Sequence, residues 1–181
     1  MKVIGERISI LIKDGVFSLV ILPTTDKKKL GFLLLWLLAW TVCGIIVFIN
    51  YFKLDNQQAK LFVIVYLSFW LYYEVKIARA FIWKSQGKEK LWIKNNILHY
   101  QREIRGKGKI KEYNLDVIND LDMIDLDEKS IGFSFSQSFW IKGGERLEFH
   151  ALGKSIAFAM QVNDVEAKQI LKEMEKFIFK N

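Results

Sequence analysis

The chain has one cysteine, one proline and two histidines in 181 residues. Each scarcity excludes something. A single thiol, Cys43, cannot form an intrachain disulfide. With only His99 and His150 beside it, the composition predicts no structural zinc site and no metal centre. Neither histidine has a serine or cysteine constellation near it in sequence, so each reads as a strand residue and not as a catalytic base. No catalytic set and no cofactor motif emerges, and the expectation is a non-enzymatic protein that uses no cofactor. A lone proline, Pro23, leaves the rest of the chain free to form backbone ladders, which need the N–H that proline lacks.

Charge is also absent where it matters. Residues 30–52, LGFLLLWLLAWTVCGIIVFINYF, carry no charged residue. A bilayer's hydrocarbon core takes roughly 20 helical residues to cross, and this run is long enough. It lies well inside the chain and lacks a small-residue cleavage pattern, so it reads as a retained membrane helix and not as a cleaved leader. Residues 61–83, LFVIVYLSFWLYYEVKIARAFIW, read as a second span, interrupted late by Glu74, Lys76 and Arg79. Lys76 and Arg79 are expected to snorkel toward headgroups. Glu74 is read as interfacial, with an intramembrane proton or ion site as the alternative. Trp70 and Trp83 are candidate interface anchors, whereas Trp36 and Trp40 lie nearer the middle of the first span and are expected to face a helix or lipid.

The connector KLDNQQAK, 53–60, leaves room only for a helical hairpin, which puts both termini on one side of the membrane. Lys27, Lys28, Lys29, Lys76, Arg79, Lys84, Lys88 and Lys90 flank the outer ends, against Lys53 and Lys60 in the connector. Positive residues favour the cytoplasmic side, so a multi-pass protein of the cytoplasmic (inner) membrane with both termini cytoplasmic is expected.

Three segments follow from this division. Residues 1–29 carry alternating Ile8, Ile10, Ile12 and Phe17, Leu19, Ile21 around Asp14-Gly15, a strong hairpin signal. A lone hairpin is marginal in water, so it is expected to pack on the C-terminal region. Residues 30–83 hold the membrane hairpin. Residues 84–181 read as closely spaced strands: 89–94 and 97–104 around Asn95-Asn96, then 109–115, 117–124, 130–136, 139–142, 146–151 and 155–161. The period then changes, and Val165, Ile170, Leu171, Met174, Phe177 and Ile178 fall on one face of a closing helix. Asn163 and Glu166 have the spacing of its capping box. The acidic run NDLDMIDLDE, 119–128, lacks the glycine and glutamate of a calcium loop and reads as strand and turn. The alternating aromatics of FSFSQSFW, 133–140, read as a packed sheet face.

The most suggestive stretch is REIRGKGKIKEYNL. Arg102, Arg105, Lys107, Lys109 and Lys111, with Gly106 and Gly108 between them, are candidate contacts for anionic lipid headgroups or a partner. The glycines permit positive φ, which can aim backbone N–H groups at a phosphate. Against this stands the plain reading of a solvated turn whose lysines protect a sheet edge. Nucleic acid is not expected, since residues 84–181 carry seventeen basic residues against fifteen acidic ones.

FLLLWLLAWTVCG, the GKE at 87–89, REIRGKGKIKEYNLDVINDL at 102–121 and EAKQILKEM together resemble the bacterial membrane-anchored proteins with a pleckstrin-homology-like (PH-like) domain. The resemblance covers nearly the whole chain. It implies an α+β membrane protein: a two-helix transmembrane hairpin followed by a bent, seven-stranded antiparallel sheet or barrel with a C-terminal capping helix. A glycine expected shortly before that helix is replaced by FAMQVND. The implied role is an adaptor or scaffold whose partners are the bilayer and an unidentified membrane or cytoplasmic protein or a second copy of the chain. The alternatives are a sensor of anionic lipid through residues 102–111, and a small oligomeric transporter component using Glu74.

Overall fold

The structure, a computed structural model, describes residues 2–23, 26–124 and 144–178. The fold is α+β, with antiparallel sheets, a C-terminal helix and two helices long and apolar enough to cross a membrane. It divides into two compact units, Met1–Thr25 with Trp83–Asn181, and Asp26–Ile82.

The first unit is built on β1 (Lys2–Ile4), β2 (Ile8–Lys13), β3 (Val16–Ile21), β4 (Gly87–Lys94), β5 (Ile97–Ile104) and β6 (Ile110–Asn114). These form one antiparallel sheet in chain order, so β3 pairs with β4 although more than sixty residues separate them in sequence. Two tight turns set the register. Asp14 and Gly15 both have positive φ (51° and 72°), as do Asn95 and Asn96 (51° and 63°). Positive φ at both central residues matches the right-handed twist of the flanking strands, and Asn and Asp tolerate it better than other side chains. After a short 3-10 turn at Leu115–Val117, β7 (Ile118–Met123), β8 (Glu145–Ala151) and β9 (Lys154–Met160) make a second antiparallel sheet, with a bulge in β7 between Asn119 and Asp122.

Alternation places Ile8 and Ile10, Phe17, Leu19 and Ile21, Leu91 and Ile93, and Leu98 and Tyr100 in one core with Leu147, Phe149 and Phe158. Helix α3 (Asp164–Ile178) closes it with Ala167, Ile170 and Met174. Its start follows the capping box: the Glu166 N–H donates to Asn163 Oδ1 (2.8 Å) and the Asn163 N–H donates to Glu166 Oε2 (3.1 Å). Val165 departs from the expected apolar face. It is exposed, because the buried stripe runs through Ala167, Ile170 and Met174, one turn boundary away from it. The strands expected at 130–136 and 139–142 and the aromatic run at 133–140 lie outside the described residues.

The second unit is α1 (Lys27–Tyr51) and the membrane-length part of α2 (Gln57–Gln86). Asp26 caps α1, its Oδ1 accepting from the Lys29 N–H at 3.0 Å. Only 11% and 6% of the most apolar windows of the two helices are buried, so neither is the core helix of a soluble domain. The helices meet at a few specific points. Trp70 packs so closely on Gly44 that a Cβ there would lie 2.0 Å from its ring. Its indole N–H donates to the Trp40 carbonyl (3.1 Å), and Thr41 Oγ1 donates to Glu74 Oε1 (2.6 Å).

Candidate functional site

The geometry of the site starts from Glu89. Strand β4 alternates Gly87, Glu89, Leu91 and Ile93 toward the interior, and this alternation carries a carboxylate into the core at 2% exposure. Burying a charge is costly unless it is paired and hydrogen-bonded. Glu89 meets both conditions. Oε1 accepts from the buried Tyr100 hydroxyl and from Arg102 Nε (3.3 Å), and Oε2 accepts from the Met160 N–H (3.1 Å). One carboxylate therefore ties β4 and β5 of the large sheet to the end of β9 in the small one. Burial raises the Tyr100 hydroxyl's pKa, and the neighbouring Glu89 charge adds to the rise, so this phenol stays a donor.

Arg102 extends the link. Its Nη2 donates to Glu145 Oε1 (2.8 Å) and to the Ala157 carbonyl (3.1 Å), and its guanidinium lies 5.6 Å from the Tyr100 ring centroid. Burial alone would lower its pKa, but Tyr100, Glu89 and Glu145 outweigh that and raise it above the ordinary guanidinium value. On the opposite face of β5, Glu103 is held by Lys90 (2.5 Å) and Lys88 (3.0 Å), and hydrogen bonds from these lysines, Lys90 first, lower its pKa.

The basic turn separates into parts. Arg102 faces the intersheet network. The Arg105 side chain donates to the Gln86 side-chain oxygen, and the Arg105 N–H lies 3.4 Å from the Gln86 carbonyl. Gly106 has positive φ (79°) and so is placed as expected. Gly108 serves differently from the expectation: its role is close approach, since a Cβ there would sit 2.2 Å from the Arg102 carbonyl oxygen. Lys107 is exposed at the tip. Lys109 and Lys111 remain, exposed and without an ion pair among the described residues.

These last two join Arg102 on one wall of a cleft. The β5–β6 ladder pairs Tyr100 with Lys111 and Gln101 with Ile110. Directly opposed strand residues share a face and every second residue returns to it, so Tyr100, Arg102 and Lys111 lie on one side of the sheet, and Lys109, just before β6, lines the cleft beside them. Opposite them runs the backbone of β9 at 155–157, with Glu145 beside it. The enclosed volume is about 450 Å³, within the ~300–1,000 Å³ range of small-ligand sites.

No protein-family model matches the chain, and no curated protein and no solved structure is significantly similar to it. The site's meaning therefore rests on its own chemistry. It offers three cations, a phenol, a carboxylate and strand backbone. The Ser155 hydroxyl, also in the lining, donates to Glu148 Oε2, and among the described residues no group of His, Cys, Asp and Glu is placed to hold a metal. His99 stacks on Trp92 (5.0 Å between centroids) with Nδ1 3.4 Å from Glu112. His150 on β8 has a buried Nδ1 with no hydrogen-bond partner among the described residues.

Sequence reasoning missed Glu89, Tyr100 and Glu145. The signal for Glu89 was present: it falls two and four residues before Leu91 and Ile93, on the same inward face. Nothing local announced Glu145, which reaches Arg102 across 43 positions of sequence. Trp83, expected as an interface anchor, is buried at 3% exposure against Gly87.

Proposed function

We propose that this protein is a non-enzymatic, membrane-anchored adaptor that holds a PH-like domain at the cytoplasmic surface of the inner membrane and presents the β5–β6–β9 cleft to a partner. One observation carries the reading: β3 and β4 pair residue by residue, from Phe17 with Ile93 to Ile21 with Glu89, across an insert containing both apolar helices. A single crossing between them would leave the two strands on opposite sides of a bilayer. Two crossings return the chain to its sheet, as the hairpin topology requires. The connections are short: β3 ends at Ile21 and α1 begins at Lys27, while α2 runs to Gln86 and β4 begins at Gly87. A domain tethered this tightly at both ends of a membrane hairpin stays within a few residues' reach of the surface. Lysines at the outer helix ends support the cytoplasmic side. The meander of strands closed by α3 supports the PH-like reading, although the described residues form two sheets of six and three strands, where the resemblance implies one seven-stranded sheet.

The test is crosslinking of the intact chain in native membranes followed by purification in mild detergent. A defined partner, or a second copy of the chain, recovered at stoichiometric yield is expected. Recovery of the monomer alone under conditions that crosslink a known neighbouring complex contradicts the adaptor role. The transporter alternative rests on Glu74, whose Oε2 is buried with no hydrogen-bond partner among the described residues. Unchanged physiology in a Glu74→Gln strain removes it.

A further inference from the structure

We infer that the cleft between β5–β6 and β9 is a binding site for a phosphomonoester dianion, with Lys109 and Lys111 as the ligand-responsive cations and Arg102 as their fixed companion. The inference deepens the adaptor reading, since it names the chemistry of the group that the presented cleft takes.

The argument is one of charge and preorganisation. Three of the lining side chains are cationic, and the charge of Arg102 is met by Glu145 and by Glu89 behind it, which leaves Lys109 and Lys111 as two cations with no carboxylate partner among the described residues. A phosphomonoester carries about −1.5 to −2 at pH 7, which matches. A carboxylate or a phosphodiester carries half as much and leaves a lysine unpaired. Arg102 is preset: Glu89, Glu145 and the Ala157 carbonyl hold Nε and Nη2, while Nη1 has no partner among the described residues. A guanidinium fixed in advance loses little side-chain entropy when an oxyanion arrives. Lys109 and Lys111 stand two residues apart and both line the cleft. By contrast, Lys88 and Lys90 on the neighbouring strand β4 are both bound to Glu103.

The phosphomonoester has two possible sources, the headgroup of a phosphatidic-acid-type lipid and a soluble phosphorylated metabolite. The experiment separates them. The intact chain is placed in phosphatidylcholine nanodiscs and titrated with glycerol 3-phosphate by calorimetry. In parallel, native mass spectrometry counts phosphatidic acid retained from detergent micelles that also contain phosphatidylcholine. Binding in at least one arm is expected. The double variant Lys109→Gln/Lys111→Gln should weaken it by about tenfold or more, since each loses a charge-assisted hydrogen bond. A control, Lys13→Gln/Lys94→Gln, removes equal charge at the Asp14-Gly15 and Asn95-Asn96 turns, at the far end of the ladder from the cleft, and should change it less than about twofold, as screened distant charges do. Affinity should also fall between pH 7.5 and 5.5 as the ligand takes up its second proton near pH 6. All four substituted lysines are exposed, so circular dichroism spectra should coincide with that of the parent.

No binding in either arm overturns the inference. Equal losses in the two double variants overturn it as well, by showing diffuse adhesion. So does tighter binding of a hexaglutamate peptide than of glycerol 3-phosphate, which would assign the cleft to an acidic protein segment. Extraction of membranes with alkaline carbonate reads the anchoring separately: a protein that stays in the pellet yet binds no phosphomonoester loses only this inference.

Discussion

Two carboxylates, one in each compact unit, are held under opposite conditions. Glu89 in the sheet unit accepts from a phenol, a guanidinium and a backbone N–H, so both its oxygens are occupied. Glu74 in the helical unit, half-buried, accepts from Thr41, and among the described residues its second oxygen is buried with no hydrogen-bond partner. The same functional group is thus a finished joint in one place and an incomplete one in the other. A satisfied buried carboxylate orders its surroundings, whereas an unsatisfied one costs free energy and marks where structure or function is poised.

Breaking Glu89 should have the largest effect. Glu89→Leu strands the Tyr100 hydroxyl and the Met160 N–H and removes one of Arg102's carboxylates, at a cost of about 3 kcal/mol. Thermal unfolding of the intact chain in mild detergent, followed by the β signal in circular dichroism, reads this directly. Adding Tyr100→Phe should recover part of the loss, because removing both partners is milder than orphaning one. Absence of any recovery would dissociate Tyr100 from the joint.

Gly44→Val comes next. The new side chain must displace the Trp70 ring, and overpacking of this kind costs about 1–3 kcal/mol. Cysteine pairs placed across α1 and α2 should crosslink more slowly in that variant, and an unchanged rate would count against the packing described. Thr41→Val should do less, since hydrogen bonds between membrane helices average about 0.6 kcal/mol. Equilibrium unfolding by a denaturing detergent is sensitive enough to see it, and a loss as large as that of Gly44→Val would contradict the ranking.

The smallest effect is conditional on pH. The Glu103 carboxyl has a folded pKa below its ordinary 4.5, so between the two values the unfolded chain binds more protons than the folded one. Its stabilising contribution is complete above the unfolded value and disappears as pH falls through the folded one. The stability gap between the parent and Glu103→Gln should therefore be constant near neutrality and close only below about pH 4.5. A gap that closes between pH 6 and 8 would assign it to another group.

Much of the scaffold was legible because short-range chemistry decides it. Asp14-Gly15 and Asn95-Asn96 announced their turns, Asn163 and Glu166 their cap, and uncharged length the two apolar helices. The site was legible only in outline. The cluster Arg102, Arg105, Gly106, Lys107, Gly108, Lys109 and Lys111 reads in sequence as one patch, but strand alternation and the twist of the ladder distribute it. Arg102 turns to Glu89 and Glu145, Arg105 to Gln86, Lys107 stands at the exposed tip, and Lys109 and Lys111 line the cleft with no ion pair among the described residues. Contacts between residues 43 or 71 positions apart, as from Arg102 to Glu145 or from Met160 to Glu89, leave no local trace. The split of the sheet has a practical consequence: a fragment beginning at residue 84 discards β1, β2 and β3, half of the large sheet, and is not a fair surrogate for the domain.

The membrane hairpin is tested most directly by placing a single thiol at its tip. With Cys43→Ser as background, Asn56→Cys in the loop between α1 and α2 should react with a membrane-impermeant maleimide added outside intact spheroplasts, and a thiol at Lys94 should react only after lysis. Labelling of position 56 from the inside alone, or release of the whole protein from membranes without detergent, would contradict the account.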